Sequence, residues 1–381
     1  MAFDPNESLN KKDSILNRDW IFFKIKMLEE QQENAFNLLA DCLTSVNFED
    51  TKRLQDLITE FKNDLFSSIV PMGNEYVSAR TSFSFSKSKT VDEIWNGLTQ
   101  VFFIKDLVSS DVNIISKKLQ DIYQQILKLG AVIHIIADNQ CCKNVIPYIE
   151  TFIENCSLHK VKEFNFDRET KFNELRKIAE KNFSNNQQNL EILLTSTQVG
   201  FASVSCKSSD YNTKEFIAEK LLCHYLTNTF LWEKIRTEGG AYGAFMWTDA
   251  LEKNLSFSTY RDPKPFNSLS IFRQAFEDFL NNELEQQELE KIITGCYSKE
   301  VQPKTPSARG SIGFLRYLYD FSDEWLEQKI KILLAAKKED LYEAAKRLLE
   351  FYDAENRQAV LCGKNMNKSK KNTGKIINLP I

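Results

Sequence analysis

The residues best suited to chemistry lie in one segment, residues 231–245, LWEKIRTEGGAYGAF. Its pattern predicts that Arg236 closes the last turn of a helix, Gly239 and Gly240 reverse the chain, and Tyr242 opens the next strand. A guanidinium and a phenol are both hydrogen-bond donors. Donors converging on a carbonyl are what peptide-bond hydrolysis needs as that oxygen becomes negative, and one such donor contributes about 3 kcal/mol to the transition state. The same spacing has a plainer reading. The two glycines then form a C-cap, Arg236 is a helix-end cation complementing the dipole, and Tyr242 is ordinary strand filling. Spacing alone favours the plainer reading. A dinucleotide-binding reading fails on order, because that fingerprint runs strand, glycines, helix, and here the helix comes first.

Other catalytic machinery is missing from the sequence. The three histidines, His134, His159 and His224, sit in no H-x-x-E-H or H-E-x-x-H frame, and there is no G-x-S-x-G elbow and no phosphate-binding G-x-x-x-x-G-K-[ST] loop. His134 lies in an apolar strand pattern and His224 in an apolar helix pattern, so packing roles are expected for both. Cys141 and Cys142, followed by Cys156-Ser-Leu-His159, give one pair with ligand-like spacing and no matching first pair. A structural role is expected there, with a Cys/His metal module as the alternative. No metal ligand is assigned.

Two units are expected to position the Arg236–Tyr242 segment. In the first, alternation over residues 19–28 predicts a strand, helical periodicity follows on either side of an Asn47/Asp50 break and again over 91–107 and 113–129, and AVIHIIAD (131–138) predicts a second strand. Residues 157–188 are polar and poorly periodic, as a connection would be. The second unit opens with a strand over 200–207 and a helix over 214–236. A hairpin of AYGAFMWTD and NLSFSTYRD follows, then further helices to Tyr352 and a strand over 357–364. The expected architecture is α+β, two similar domains of mainly antiparallel sheet covered by helices. Its boundaries are 1–156, 157–188 as connection, 189–364, and 365–381 as a polar tail.

Bulk properties narrow the function. A chain of 381 residues suits two domains, and 42% hydrophobic against 27% charged residues is the balance of a globular protein. The net charge of -4 is not gathered into a basic block, which argues against nucleic acid as partner, and no apolar run reaches membrane-spanning length. The eight scattered cysteines read as free thiols in a reducing compartment. The polar, acidic start, MAFDPNESLNKKD, carries no export signal. A bacterial cytoplasm is expected, with a eukaryotic organelle as the alternative.

Residues 236–243, RTEGGAYG, followed by SFSTYRDP at 256–263, closely resemble the C-terminal domain of pitrilysin-type zinc peptidases of the presequence-protease and falcilysin subfamily. FEDTKRLQDLITEFKNDLFSSIVPMGNEYVSAR at 48–80 resembles the region after that subfamily's central linker, and EVQPKTPSARG at 300–310 fits its later helices. The resemblance spans nearly the whole chain in the right order. It implies the third and fourth of four similar α+β domains, which close in two halves around a chamber that admits unstructured peptides. Zinc is then bound by an N-terminal half, absent here, or by a companion chain carrying H-x-x-E-H. By the same resemblance Arg236 and Tyr242 are the catalytic pair that holds the substrate carbonyl, with Gly239 and Gly240 beside them in the substrate-binding segment. This chain alone is expected to be inactive. The alternative is a non-catalytic subunit of the same fold that serves assembly or peptide binding.

Overall fold

The computed structural model describes residues 20–159, 168–181, 189–211, 213–249, 251–319, 321–367 and 374–380. Helices fill the first part of the chain: α1 Gln32–Thr44, α2 Thr51–Ser68, α3 Gly73–Ser82, α4 Lys87–Asn96, α5 Leu98–Leu107, α6 Val112–Lys128, α7 Asn139–Asn144, α8 Ile146–Asn155 and α9 Arg168–Glu180. Several begin where side-chain oxygens can cap the first turn. Asp50 accepts from the Arg53 N–H at 2.9 Å, Ser86 from Lys89 at 3.1 Å and Asp111 from Asn113 at 2.8 Å.

The second part holds β1 Leu190–Thr195, β2 Phe201–Lys207, α10 Lys214–Asn228, β3 Gly243–Asp249 and β4 Asn254–Tyr260. Helices α11 Pro265–Asn281, α12 Gln286–Glu300, α13 Pro306–Tyr319, α14 Asp323–Leu334 and α15 Lys338–Ala354 follow, then β5 Asn356–Gly363 and β6 Lys375–Asn378. The six strands form one sheet in the order β3-β4-β2-β5-β1-β6. From β3 to β5 the neighbours are antiparallel, and β1 runs parallel to both β5 and β6. The α+β class expected from the sequence is what the chain adopts, but the expected second sheet is not formed: among the described residues the first unit is helical and all six strands belong to the second.

Both faces of the sheet are covered. Ala202, Val204, Phe257, Val360 and Cys362 pack on one face against α10, α11 and α15, with Leu221, Phe272, Phe276 and Leu348 fully buried. Phe257 meets the Phe272 and Phe276 rings at 4.9 and 5.6 Å. The opposite face carries Leu193, Phe201, Ala359, Leu361 and Ile377, and it is closed by Tyr76 and Val77 of α3 and Leu98 and Val101 of α5. Arg80 of α3 sits in that seam, 1% exposed. Its guanidinium forks onto Glu191 of β1 at 2.8 and 2.9 Å, and reaches Glu93 of α4 and the Ala179 carbonyl of α9, each at 3.1 Å. The first unit thus closes one face of the second unit's sheet.

Four local expectations are corrected. Residues 20–28 form no strand, and Ile21, Phe23 and Leu28 are exposed, because alternation makes a strand only where a neighbouring strand supplies the ladder. Residue 19 lies outside the described residues. Residues 132–138 likewise form no strand, and two of them lie against helix α13. The His134 ring stacks on Phe314 with centroids 4.5 Å apart, and Ile136 fills the space over Gly310. Part of the expected polar tail, 365–381, is β6, with Ile377 and Leu379 buried, so the chain returns to the sheet after its basic stretch. The apolar LEILLT, for which periodicity alone predicts no element, is β1. It alternates Ile192 and Leu194 toward one core with Leu193 toward the other, the pattern of a strand buried on both faces. Part of the expected connection, residues 168–180, is helix α9, and residues 160–167 and 182–188 lie outside the described residues.

Candidate functional site

The long helix expected over 214–236 is broken. Helix α10 stops at Asn228, where Thr229 turns its hydroxyl onto the Tyr225 carbonyl at 2.8 Å, and the chain rewinds as a π-helical turn over Trp232–Thr237. Leu231 and Ile235 anchor this turn in the core. It ends in a glycine reversal. The Gly240 N–H reaches the Arg236 carbonyl at 2.9 Å and the Ala241 N–H reaches Ile235 at 3.1 Å. These bonds resemble a Schellman cap with each span one residue longer, consistent with the wider π turn. Gly240 has φ +84, and a Cβ on Gly239 would lie 2.3 Å from the Ile235 carbonyl oxygen. Both glycines are therefore required by backbone geometry.

Arg236 leaves the first arm of this reversal. Its guanidinium lies 3.8 Å from the centre of the Trp232 ring, one turn earlier, and makes no ion pair with any described residue. Tyr242 leaves the second arm. Its N–H donates to the Tyr260 carbonyl at 3.0 Å, and Gly243 also pairs with Tyr260, so two residues of one strand oppose one of the other. This is a β-bulge, which re-aims a side chain. Ala244 and Met246 point toward α10, whereas the Tyr242 ring is turned to the other face, edge-on to Tyr260 at 5.8 Å and 69% exposed. Phe245 and Trp247 lie partly exposed along the same strand. The result is an accessible phenol and a stacked, uncompensated guanidinium presented by one rigid reversal.

Sequence reasoning placed Arg236, Gly239, Gly240 and Tyr242 in this reversal, and all four lie there. It missed Trp232, whose four-residue separation from Arg236 on a helical pattern was the available signal. It also missed Tyr260 and Arg261. Arg261 has φ 49 and lays its guanidinium over the Tyr260 ring at 5.4 Å, while Asp262 is buried and accepts from Ser268 at 2.6 Å and from the Lys264 N–H at 2.8 Å. The YRDP corner is thus a fixed support beside Tyr242.

The residues present do not fit a zinc ion. Among the described residues no group of three or more His, Cys, Asp or Glu is placed to hold a metal. His134 is stacked face to face on Phe314, and His224 Nδ1 lies 3.2 Å from the Asn228 amide and 3.3 Å from the Lys299 ammonium. In the Cys/His segment the Asp138 carboxylate, with Glu29, pushes the Cys141 thiol up to about 12, the wrong direction for a thiolate ligand.

The chain is similar to known proteins over most of its length. The family described as "PreP C-terminal domain" matches residues 190–363, and the family of regions associated with subgroup C of the M16 peptidases matches residues 3–107. The mitochondrial presequence protease of Candida albicans is 24% identical over 358 residues, covering 89% of this chain and 33% of that protein. Presequence protease 1 of Arabidopsis thaliana, chloroplastic and mitochondrial, is 24% identical, with coverages of 86% and 29%. A Borreliella burgdorferi protein is also 24% identical, covering 94% of this chain and 36% of its own length. The chain therefore spans about a third of the length of the curated relatives it matches. Among solved structures, a conserved protein of Enterococcus faecalis superposes with a TM-score of 0.58 at 13% identity, covering 91% of this chain and 77% of that one. A peptidase M16 inactive domain of Pseudomonas fluorescens gives 0.50 at 10%, covering 88% and 76%. Two family matches in order along the chain, and relatives aligned over most of its length, establish that it belongs to the pitrilysin-type (M16) peptidases, as a C-terminal segment of the presequence-protease subfamily.

Proposed function

We propose that this chain is the substrate-holding half of a zinc metalloendopeptidase that degrades unstructured peptides in a chamber closed by a second, zinc-bearing half. The observation that carries this reading is the glycine reversal that brings together an exposed Tyr242 and a half-buried Arg236 stacked on Trp232, neither tied up by a carboxylate among the described residues. A phenol O–H and a guanidinium N–H fixed in this way can donate to a peptide carbonyl. They stabilise it more as it gains negative charge, which lowers the barrier rather than merely tightening binding. Zinc, held by the other half, supplies the activated water. The residues of this chain orient the scissile bond.

The test is reconstitution. An unfolded peptide is incubated with zinc and this chain alone, then with this chain plus the polypeptide carrying H-x-x-E-H. No cleavage by the single chain and chelator-sensitive cleavage by the pair is the expected outcome. Chelator-sensitive cleavage by the single chain would place the metal centre here and overturn the reading. An inactive pair would favour a non-catalytic subunit of the same fold.

A further inference from the structure

Strand β3 is the edge of the sheet, bonded on one side only to β4. An edge strand normally offers its outward N–H and C=O groups to water or to another strand. At the middle of β3 they are taken. Thr227, in the last turn of α10, accepts the Met246 N–H on its hydroxyl oxygen at 3.1 Å and donates that hydroxyl to the Met246 carbonyl at 3.2 Å. One side chain thus occupies both outward groups of the central edge residue. The two residues are 19 apart in sequence, and the chain between them is the broken helix, the π turn, the glycine reversal and the bulge.

We propose that Thr227 is a positioning residue, whose hydroxyl clips the two arms of the Arg236–Tyr242 reversal together and closes the β3 edge to strand addition. Arg236 is carried on the continuation of α10 and Tyr242 on the start of β3. Among the described residues, the clip is the side-chain hydrogen bonding that fixes helix to strand between these arms beyond the reversal itself. Apolar contact of Ala244 and Met246 with α10 resists separation of the arms but not sliding along the strand. A hydroxyl bonded to both groups of one peptide residue fixes that register. The proposal rests on the reading of Arg236 and Tyr242 as carbonyl-holding groups, since misplacement of such groups by about 1 Å can cost a hundredfold in rate.

Thr227→Val keeps the shape and removes the hydroxyl, and Thr227→Ser keeps the hydroxyl. In the reconstituted enzyme, Thr227→Val should speed hydrogen exchange of the Met246 amide and lower kcat, each by about tenfold or more, with KM little changed. Thr227→Ser should restore both. Unchanged Met246 exchange in the valine variant, unchanged kcat, or failure of serine to restore would overturn the proposal. If Tyr242→Phe is itself silent, the peptide-holding reading falls, and Met246 exchange alone judges the clip: accelerated by valine and restored by serine supports it, unchanged by valine overturns it.

Discussion

At Gly240 the chain takes φ +84, a conformation that costs most residues with a Cβ a close approach to the following carbonyl. Gly240→Ala is therefore expected to destabilise the chain by about 1–2 kcal/mol, read as a lower urea midpoint at unchanged slope. A wild-type midpoint would contradict the strained reversal. The C-cap role of both glycines was legible, because Gly-Gly after a helical pattern has few other uses. The orientation of Tyr242 was not. It depends on Tyr242 and Gly243 both standing opposite Tyr260, a tertiary event with no local signature, and a regular alternation would have sent the phenol toward α10.

At the scale of elements, the hairpin that begins at Tyr242 is latched at its other end. Glu252, at the β3–β4 turn, hydrogen-bonds the Ser86 hydroxyl that caps α4, and Lys89 of α4 pairs with Asp249 of β3 at 2.7 Å. Burial pushes the Glu252 carboxyl up to about 7 against these bonds, with Asp249 raising it further and Lys89 opposing. Asp92 of α4, also raised by burial, and the Lys253–Asp210 pair complete the charged surroundings. A carboxyl whose folded pKa is raised favours folding in its protonated form. Its contribution is full below about pH 4.5, the unfolded value, and is lost as pH rises through about 7. The slope amounts to on the order of 3 kcal/mol and should vanish in Glu252→Gln, as measured by urea unfolding between pH 4.5 and 8. An equal slope in the glutamine variant would remove Glu252 as its source. The β3–β4 hairpin was readable from alternation and its closing prolines. Strands β1 and β6 were not, since one is buried on both faces and lacks a regular apolar–polar alternation, and the other is four residues long after a basic stretch. Residues 20–28 and 132–138 show the converse, alternation in one and an apolar run in the other without a place in the sheet.

Across the whole molecule, the sheet that presents Tyr242 is built jointly. Residues from α3 and α5 close its second face, and Arg80 ties α3, α4, α9 and β1 through charge-assisted bonds in a seam where leaving either glutamate unpaired would cost several kcal/mol. The fold class was recoverable from periodicity, but this joint packing was not, because the partners of Arg80 lie up to 111 residues away. No helix among the described residues is long and apolar enough to cross a membrane. The surface that matters is the rim of the sheet at β3, where the exposed phenol, the stacked guanidinium and the partly exposed Phe245 and Trp247 lie close in sequence on one strand and its preceding turn.

The division of labour between this chain and a zinc-bearing half is tested most directly by the kinetics of Tyr242→Phe in the reconstituted peptidase. Removing one hydroxyl from an exposed ring should leave folding and KM nearly unchanged while kcat falls by about a hundredfold or more, the loss typical of one carbonyl-stabilising donor. A kcat equal to that of the unaltered pair would show that Tyr242 takes no part in the reaction and would contradict the assignment of this segment as the group that holds the scissile carbonyl.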